Sequence, residues 1–282
     1  MNASTANRTS LFKTPAGERA VMALYDTALK HWSVAYETRM LPTRHGDTFV
    51  VASGSTASPA LVLLHGAGSN SSIWAADVSD YSTCFRVYAV DLPGEAGKSA
   101  PIRPAWETPA FAEWLGDVLD GLKIKHTVLV GISQGAWTAL KFAVTAPHRI
   151  DKLVLMTPGG IVADRRSFLP RVMLLGRRGI LQLVRALFGE QPVPDGVIDI
   201  VVQISSQFKP RIGVLPIFSD QELRQLTMPI LLLGGTRDII RDLARIESRL
   251  RNLVPQLEVT ITSGAGHALL NTTGRVLEFL VP

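Results

Sequence analysis

Gly131-Ile132-Ser133-Gln134-Gly135 is the segment that decides the fold, because an apolar run leads into it and a helix-forming stretch follows it. Val128-Leu129-Val130 before it is typical of a buried strand, and the stretch from Ala136 is typical of a helix. A serine at such a tight turn has a strained backbone with positive φ, so small neighbours are needed on both sides. We therefore predict that the Ser133 hydroxyl stands above a sheet edge, beside the free N–H groups of a helix N-terminus.

A serine between two glycines is common in turns, so this pattern needs partners elsewhere in the chain. A serine nucleophile needs a base, and the base needs an orienting carboxylate. Asp238 lies in the loop just past one apolar strand candidate, and His267 lies in the loop after the last one. Both loops are expected on the same side of the sheet as Ser133. Asp242, one helical turn after Asp238, is an alternative orienting acid.

The composition of the 282 residues describes a folded globular protein, with 46% apolar and 19% charged residues. The net charge of +5 comes from scattered Arg and Lys, which indicates a solvated basic surface and no nucleic-acid partner. Residues 1–14 lack the features of a secretory signal, and no apolar run reaches the about 18 residues that span a bilayer. With one cysteine, Cys84, an intramolecular disulfide is excluded. We expect no membrane insertion and a cytoplasmic location, as a monomer or a homodimer.

Short apolar runs alternate with longer amphipathic segments from Ala60 onward, which is typical of buried parallel strands connected by helices. A hairpin over residues 36–41 and 48–52 is predicted before them, and residues 16–32 are predicted as an N-terminal helix packed on the domain. The expected fold class is α/β, with a mostly parallel eight-stranded sheet flanked by helices. The other strand candidates are residues 60–64, 86–90, 127–130, 153–156, 230–233 and 258–262, and the other core helix candidates are residues 110–122, 134–146, 241–253 and 268–280.

Residues 159–218 separate two strand candidates by far more than an ordinary connection between a strand and a helix. Apolar residues recur there at helical spacing over 169–174 and 180–188, and a third helix is predicted over 197–208. We predict an inserted helical cap over the carboxyl ends of the strands, where open α/β sheets bind ligands. Residues 1–158 and 219–282 then form the core. The cap arginines, which either face solvent or attract an acidic substrate, are Arg165, Arg166, Arg171, Arg177, Arg178 and Arg185.

The order of serine, acid and histidine along the chain is that of the α/β-hydrolases. The segments that carry this resemblance are Leu64-His65-Gly66-Ala67-Gly68, Asp91-Leu92-Pro93-Gly94, Gly131-Ile132-Ser133-Gln134-Gly135, Gly235-Thr236-Arg237-Asp238 and Gly264-Ala265-Gly266-His267. Through them the chain resembles the α/β-hydrolase fold superfamily over nearly its whole length. More narrowly, it resembles the capped carboxylesterases of bacteria. It departs from many relatives in the loop after the first aspartate, which Glu95-Ala96 lengthens.

The resemblance implies a role for each of these residues. Ser133 would attack the acyl carbon, His267 would take and return the proton, and Asp238 would orient the imidazole and stabilise its cation. The backbone N–H groups of Ala67 and Gln134 would form the oxyanion hole.

Side chains beside these residues have either a structural or a functional interpretation. Trp74 is a candidate substrate-binding residue that lines the pocket, whereas Trp137 is expected in the core. His65 is expected to shape the oxyanion turn, and Cys84 to be a small buried residue. No His, Cys or carboxylate cluster has metal-ligand spacing, so we expect no metal and no cofactor.

A serine at the elbow argues against haloalkane dehalogenases and epoxide hydrolases, whose nucleophile is an aspartate. The expected function is hydrolysis of a small-molecule carboxylic ester with an apolar acyl or alcohol part. The alternatives are hydrolysis of a carbon–carbon or amide bond by the same residues, and a non-catalytic ligand receptor on the same scaffold.

Overall fold

The computed structural model describes residues 10–165 and 176–281, which form an eight-stranded sheet. The strands are β1 (Tyr36–Leu41), β2 (Thr48–Ser53), β3 (Ala60–Leu64), β4 (Arg86–Val90), β5 (Thr127–Ile132), β6 (Ile150–Met156), β7 (Ile230–Gly235) and β8 (Leu257–Thr262). Their spatial order is β1-β2-β4-β3-β5-β6-β7-β8. The β1–β2 and β2–β4 pairs are antiparallel and the other pairs are parallel. The predicted fold class is therefore confirmed.

Helices cover both faces of the sheet, which explains why its central strands are apolar on both faces. In β3, Leu61 and Leu63 pack with α1, α2 and α9, whereas Val62 and Leu64 pack with α3, α4 and α8. The helices are α1 (Pro15–Lys30), α2 (Val78–Cys84), α3 (Ala110–Gly121), α4 (Gln134–Thr145), α5 (Gly176–Phe188), α6 (Val197–Gln207), α7 (Asp220–Leu223), α8 (Leu243–Leu253) and α9 (Thr273–Leu280). No helix in these described ranges is long and apolar enough to cross a membrane.

Two predicted helices begin later than expected, and both differences occur beside the candidate site. The helix predicted from residue 241 begins at Leu243, because Asp242 is its N-cap. The helix predicted from residue 268 begins at Thr273. The short helices α2 and α7 are additions to the prediction.

The long insertion between β6 and β7 contains α5 and α6, close to two of the helices predicted there. The helix predicted over residues 169–174 lies outside the described residues. After α6, Phe208 pairs with Phe12 of the N-terminal segment, and their rings meet edge to face at 5.6 Å. After α5, Gly189 pairs with Ala265 in the loop that precedes α9. These two contacts join the insertion to the N-terminal segment and to the loop before α9.

Candidate active site

Ser133 stands at the turn between β5 and α4 with a φ of 54° and a ψ of −106°. A Cβ on Gly131 would lie 2.5 Å from the amide N of Ala136, and one on Gly135 would lie 2.3 Å from the carbonyl O of Leu64. Neither backbone atom leaves room for a side chain. The predicted strand-to-helix turn, with its strained serine, therefore requires glycine at both positions.

Asp238 lies in the loop after β7, with 2% of the residue exposed. Its Oδ2 is 2.8 Å from His267 Nδ1, and its Oδ1 accepts hydrogen bonds from the N–H groups of Ile240 and Arg241 at 2.7 and 2.9 Å. Burial raises the pKa of Asp238, but the interactions with His267 and the two N–H groups outweigh burial and hold the pKa below its ordinary value. The carboxylate is thus ionised at neutral pH and fixed in direction.

The alternative acid, Asp242, has a different partner. Its side chain caps α8 and accepts a hydrogen bond from the N–H of Arg245 at 3.2 Å. The fold brings the carboxylate of Asp238 to His267 and uses that of Asp242 to start a helix.

His267 connects the nucleophile to the acid. Its Nε2 is 3.0 Å from Ser133 Oγ while its Nδ1 contacts Asp238, and 12% of its side chain is exposed. With the ring proton on Nδ1, the imidazole donates to the carboxylate and offers the Nε2 lone pair to the serine hydroxyl. The structure therefore brings together all three residues that the sequence predicts as a triad.

The loop that carries His267 is held by the end of α5. The N–H of Gly266 donates to the carbonyl O of Phe188 at 3.2 Å, and the N–H of Ala268 donates to that of Leu187 at 2.8 Å. These two bonds flank the histidine on both sides. The insertion therefore fixes the backbone on which the imidazole is mounted.

Ala67 and Gln134, the predicted oxyanion donors, lie on two segments that meet at the elbow. A Cβ on Gly66 would lie 3.7 Å from Ser133 Cβ, and Gln134 is the first residue of α4. Among the described residues, the N–H groups of Ala67 and Gln134 donate no hydrogen bond. Both donors are therefore free to bind a ligand oxygen.

The oxyanion turn is fixed from inside the protein by His65, which is fully buried. Its Nε2 accepts a hydrogen bond from the N–H of Leu92 at 2.9 Å, and its Nδ1 lies 2.8 Å from the carbonyl O of Gly66. A neutral ring with its proton on Nδ1 satisfies both contacts. Burial lowers the pKa of His65, which agrees with this neutral form and with a structural role.

Glu95 is a site residue that the sequence reasoning missed. Its carboxylate accepts hydrogen bonds from the N–H of Gly68 at 2.7 Å and from the side-chain amide of Gln134 at 3.0 Å, and 3% of the residue is exposed. It thus connects the oxyanion turn to the start of the nucleophile helix. Burial raises the pKa of Glu95 above its ordinary value. The lengthened loop at Glu95-Ala96 was the signal for it.

Arg241 is a second residue that the sequence reasoning missed. Its guanidinium Nη2 lies 3.4 Å from Ser133 Oγ, although the two residues are 108 positions apart. Nothing local in the sequence indicates this contact, because it depends on how two loops meet above the sheet.

The two tryptophans near the site are both buried. Trp74 is 2% exposed and packs in the core cluster that contains Tyr25 and Val78. This burial among core side chains argues against the predicted role of Trp74 in substrate binding, and the proposed site does not include it. Trp137 is fully buried and donates from Nε1 to the carbonyl O of Pro216 at 3.0 Å, in agreement with its predicted core position.

The predicted cap arginines do not form one cluster in the described part of the insertion. Arg165 donates from Nη1 to the carbonyl O of Asp238 at 2.7 Å, whereas Arg178 and Arg185 are exposed. Those that lie outside the described residues are Arg166, Arg171 and the side chain of Arg177. In residues 10–165 and 176–281, no group of three or more His, Cys, Asp or Glu could hold a metal ion.

The sheet order, the elbow serine and the acid and histidine loops are those of an α/β-hydrolase. The sequence model of the Alpha/beta hydrolase family matches residues 61–278. The chain belongs to this family.

Within this family, the chain is similar to bacterial carboxylesterases, as the sequence predicts. Carboxylesterase YbfK of Bacillus subtilis is 33% identical over 275 residues, 91% of this chain and 92% of that protein. The crystal structure of carboxylesterase CesB (YbfK) from Bacillus subtilis has a TM-score of 0.83 at 30% identity and covers 94% of this chain and 99% of that chain. Naproxen esterase (carboxylesterase NP) from the same species has a TM-score of 0.84 at 27% identity, with 95% and 99% covered.

Proposed function

We propose that the chain hydrolyses carboxylic esters through an acyl-enzyme on Ser133, with His267 as the base and Asp238 as the orienting acid. The observation that carries this proposal is the position of the imidazole, 3.0 Å from Ser133 Oγ and 2.8 Å from Asp238 Oδ2. The carboxylesterase names of the relatives support the same reaction.

In the acylation step, Ser133 Oγ forms a bond to the ester carbon while its proton moves to His267 Nε2. The ionised carboxylate of Asp238 stabilises the imidazolium that results. The proton then passes to the alcohol oxygen as the bond between carbon and alcohol breaks. The alcohol leaves, and the acyl group stays on the serine.

The negative charge on the ester oxygen needs donors that already point at it. The N–H groups of Ala67 and Gln134 supply them, and the N-terminus of α4 adds its positive end. His65 and Glu95 hold these two segments in position. Each such donor contributes roughly 3 kcal/mol to stabilisation of the transition state.

In the second step, water attacks the acyl carbon and gives its proton to His267, which returns it to Ser133 as the acid leaves. We propose that residues 159–218 act as the cap that covers the acyl and alcohol parts, and that the substrate is a small ester with an apolar part. A monomer or a homodimer in the cytoplasm remains the expected form, in keeping with a single cysteine.

Replacement of the nucleophile tests the proposal. Ser133→Ala is expected to lower kcat for para-nitrophenyl acetate and butyrate about a thousandfold or more, because the covalent route is lost. A fluorophosphonate probe should label the wild type, and peptide mapping should locate the label on Ser133. Ser206→Ala, at an exposed position of α6, is the matched control and should be labelled and active like the wild type.

The same experiment separates the alternatives. Unchanged ester turnover in Ser133→Ala would sink the mechanism. Rapid labelling at Ser133 without turnover of esters, amides or diketones would favour the alternative that the chain is a non-catalytic ligand receptor. Turnover of a diketone or an amide in preference to every ester would favour hydrolysis of a carbon–carbon or amide bond by the same three residues.

A further inference from the structure

Arg241 holds a positive charge inside the candidate site, at the place where an acyl group would be attached. The residue is 5% exposed, and its Nη2 is 3.4 Å from Ser133 Oγ. The position of Gly159 allows this approach, since a Cβ there would lie 2.9 Å from the same nitrogen. A cation in such a place will interact strongly with any charge that the substrate carries.

One nitrogen of the Arg241 guanidinium forms an ion pair, and the other two lack a good hydrogen-bond acceptor among the described residues. Nη1 forms an ion pair with Asp164, a half-buried residue of the insertion. Nε is buried and has no hydrogen-bond partner among the described residues. A guanidinium has five N–H donors, and a buried one with few acceptors is costly for stability. Because the buried guanidinium costs stability, its position beside the nucleophile indicates a role in binding the substrate.

The contact between Nη2 and Ser133 does not satisfy the guanidinium. At 3.4 Å it is longer than the 2.7–3.2 Å that are typical of N–H···O hydrogen bonds. Within the described ranges, no carboxylate or carbonyl oxygen accepts a hydrogen bond from Nη2. A stronger acceptor brought by the substrate would therefore replace a weak contact.

We propose that Arg241 binds a carboxylate of the substrate, so that the preferred ester has an acyl group with a carboxylate close to the ester carbon. The inference rests on the proposed acyl-enzyme at Ser133. The acyl carbon is bonded to Ser133 Oγ in that intermediate, so the first atoms of the acyl chain lie within reach of Nη2. A hydrogen bond between a guanidinium and a carboxylate is charge-assisted, and burial strengthens it. The ion pair with Asp164 keeps the side chain in this position.

A different role for Arg241 makes a different prediction. If the guanidinium stabilised only the charge that develops on the reacting oxygens, its loss would slow acidic and neutral esters equally. If it binds a carboxylate, its loss penalises the acidic ester alone. The ratio of the two specificity constants therefore distinguishes the two roles.

The test compares mono-para-nitrophenyl glutarate with para-nitrophenyl valerate, which has the same chain length without the carboxylate. We expect the wild type to prefer the glutarate, and Arg241→Gln to lower the glutarate-to-valerate ratio of kcat/KM by about 10-fold to 100-fold. Arg241→Lys keeps the charge and should retain part of the ratio. Arg245→Gln removes the same charge from an exposed residue of α8 and should leave the ratio as in the wild type.

A ratio in Arg241→Gln within twofold of the wild-type ratio would overturn the proposal, as would a wild type that prefers valerate. A binding measurement keeps the inference separate from the proposed function. Titration calorimetry with monoethyl glutarate on Ser133→Ala, with and without Arg241→Gln, reports carboxylate binding without catalysis. Binding that needs Arg241, together with a wild-type protein that hydrolyses no ester, would contradict the proposed function and support the inference. Active enzyme with binding independent of Arg241 would do the reverse.

Discussion

Asp238 and Asp242 are one helical turn apart in the sequence, but their carboxylates have different surroundings. Asp238 is buried and accepts hydrogen bonds from two backbone N–H groups in addition to its contact with His267. Asp242 is half-buried and accepts one N–H group at the start of α8. At the scale of single residues, direction and burial of a carboxylate therefore decide which one can serve as the acid.

Substitution of each acid by its amide separates the two positions. Asp238→Asn is expected to lower kcat about 10,000-fold, because an amide facing His267 Nδ1 favours the tautomer that cannot accept the Ser133 proton. Asp242→Asn should change kcat less than about twofold, since Asn caps helices as well as Asp does. Steady-state kinetics with para-nitrophenyl butyrate measures both. A larger loss in Asp242→Asn would assign the acid to that residue instead.

Elements are connected at this site by buried polar groups, and Glu95 is the clearest example. Its raised pKa means that the folded protein keeps the proton at a pH at which the unfolded chain has released it. The folded state then binds more protons than the unfolded state, so this residue lowers stability as pH rises. The loss begins near the ordinary pKa of 4.5 and is complete above the raised one.

Glu95→Gln should therefore raise the melting temperature at pH 8 by a few degrees, and the gain should vanish below the ordinary pKa of the carboxyl. A glutamine can preserve both contacts, because its oxygen accepts from Gly68 and its amide donates to Gln134 once that amide is turned. Calorimetric melting curves across this pH range test the prediction. Glu18→Gln, at an exposed position, is the matched control. A melting temperature of Glu95→Gln below that of the wild type at pH 8 would contradict it.

The strands and the triad could be predicted because their signals are local. A buried strand is recognisable as a short apolar run. Ser133 follows one such run directly, and Asp238 and His267 each lie in the short loop after another strand. The lengthened loop marks the position of Glu95 as unusual, but the contacts of Glu95 and Arg241 could not be predicted, because their partners Gly68 and Ser133 are 27 and 108 positions away. Contacts of this kind depend on how loops meet at the sheet edge, which no period or spacing encodes.

The start of α9 could not be predicted for a related reason. Periodicity extends the helix that precedes the C-terminus back to residue 268, whereas α9 begins at Thr273. The backbone before it is bonded to the insertion instead: Ala268 N–H donates to the Leu187 carbonyl, and Leu270 N–H donates to Gln191 Oε1 at 3.1 Å. Tertiary hydrogen bonds here replace those that a helix would supply.

In the whole molecule, the insertion is attached both to the N-terminal segment and to the loop of His267. The N-terminal attachment is a small core of its own, with Leu11, Phe12, Val21, Ala96 and Phe208 buried together. The second attachment joins the end of α5 to the backbone on both sides of His267. The position of the insertion and the position of the base are therefore mechanically linked.

Gly266 is where this link is tightest, because a Cβ there would lie 2.3 Å from the carbonyl O of Leu187. Gly266→Ala must push α5 and the loop apart, which moves the His267 ring away from Ser133 Oγ. We expect kcat for para-nitrophenyl butyrate to fall about 100-fold, the loss that a shift of about 1 Å in catalytic geometry causes. Gly274→Ala, in α9 with nothing near its Cβ position, should retain wild-type kinetics. Equal kcat values in the two variants would mean that the insertion does not position the base.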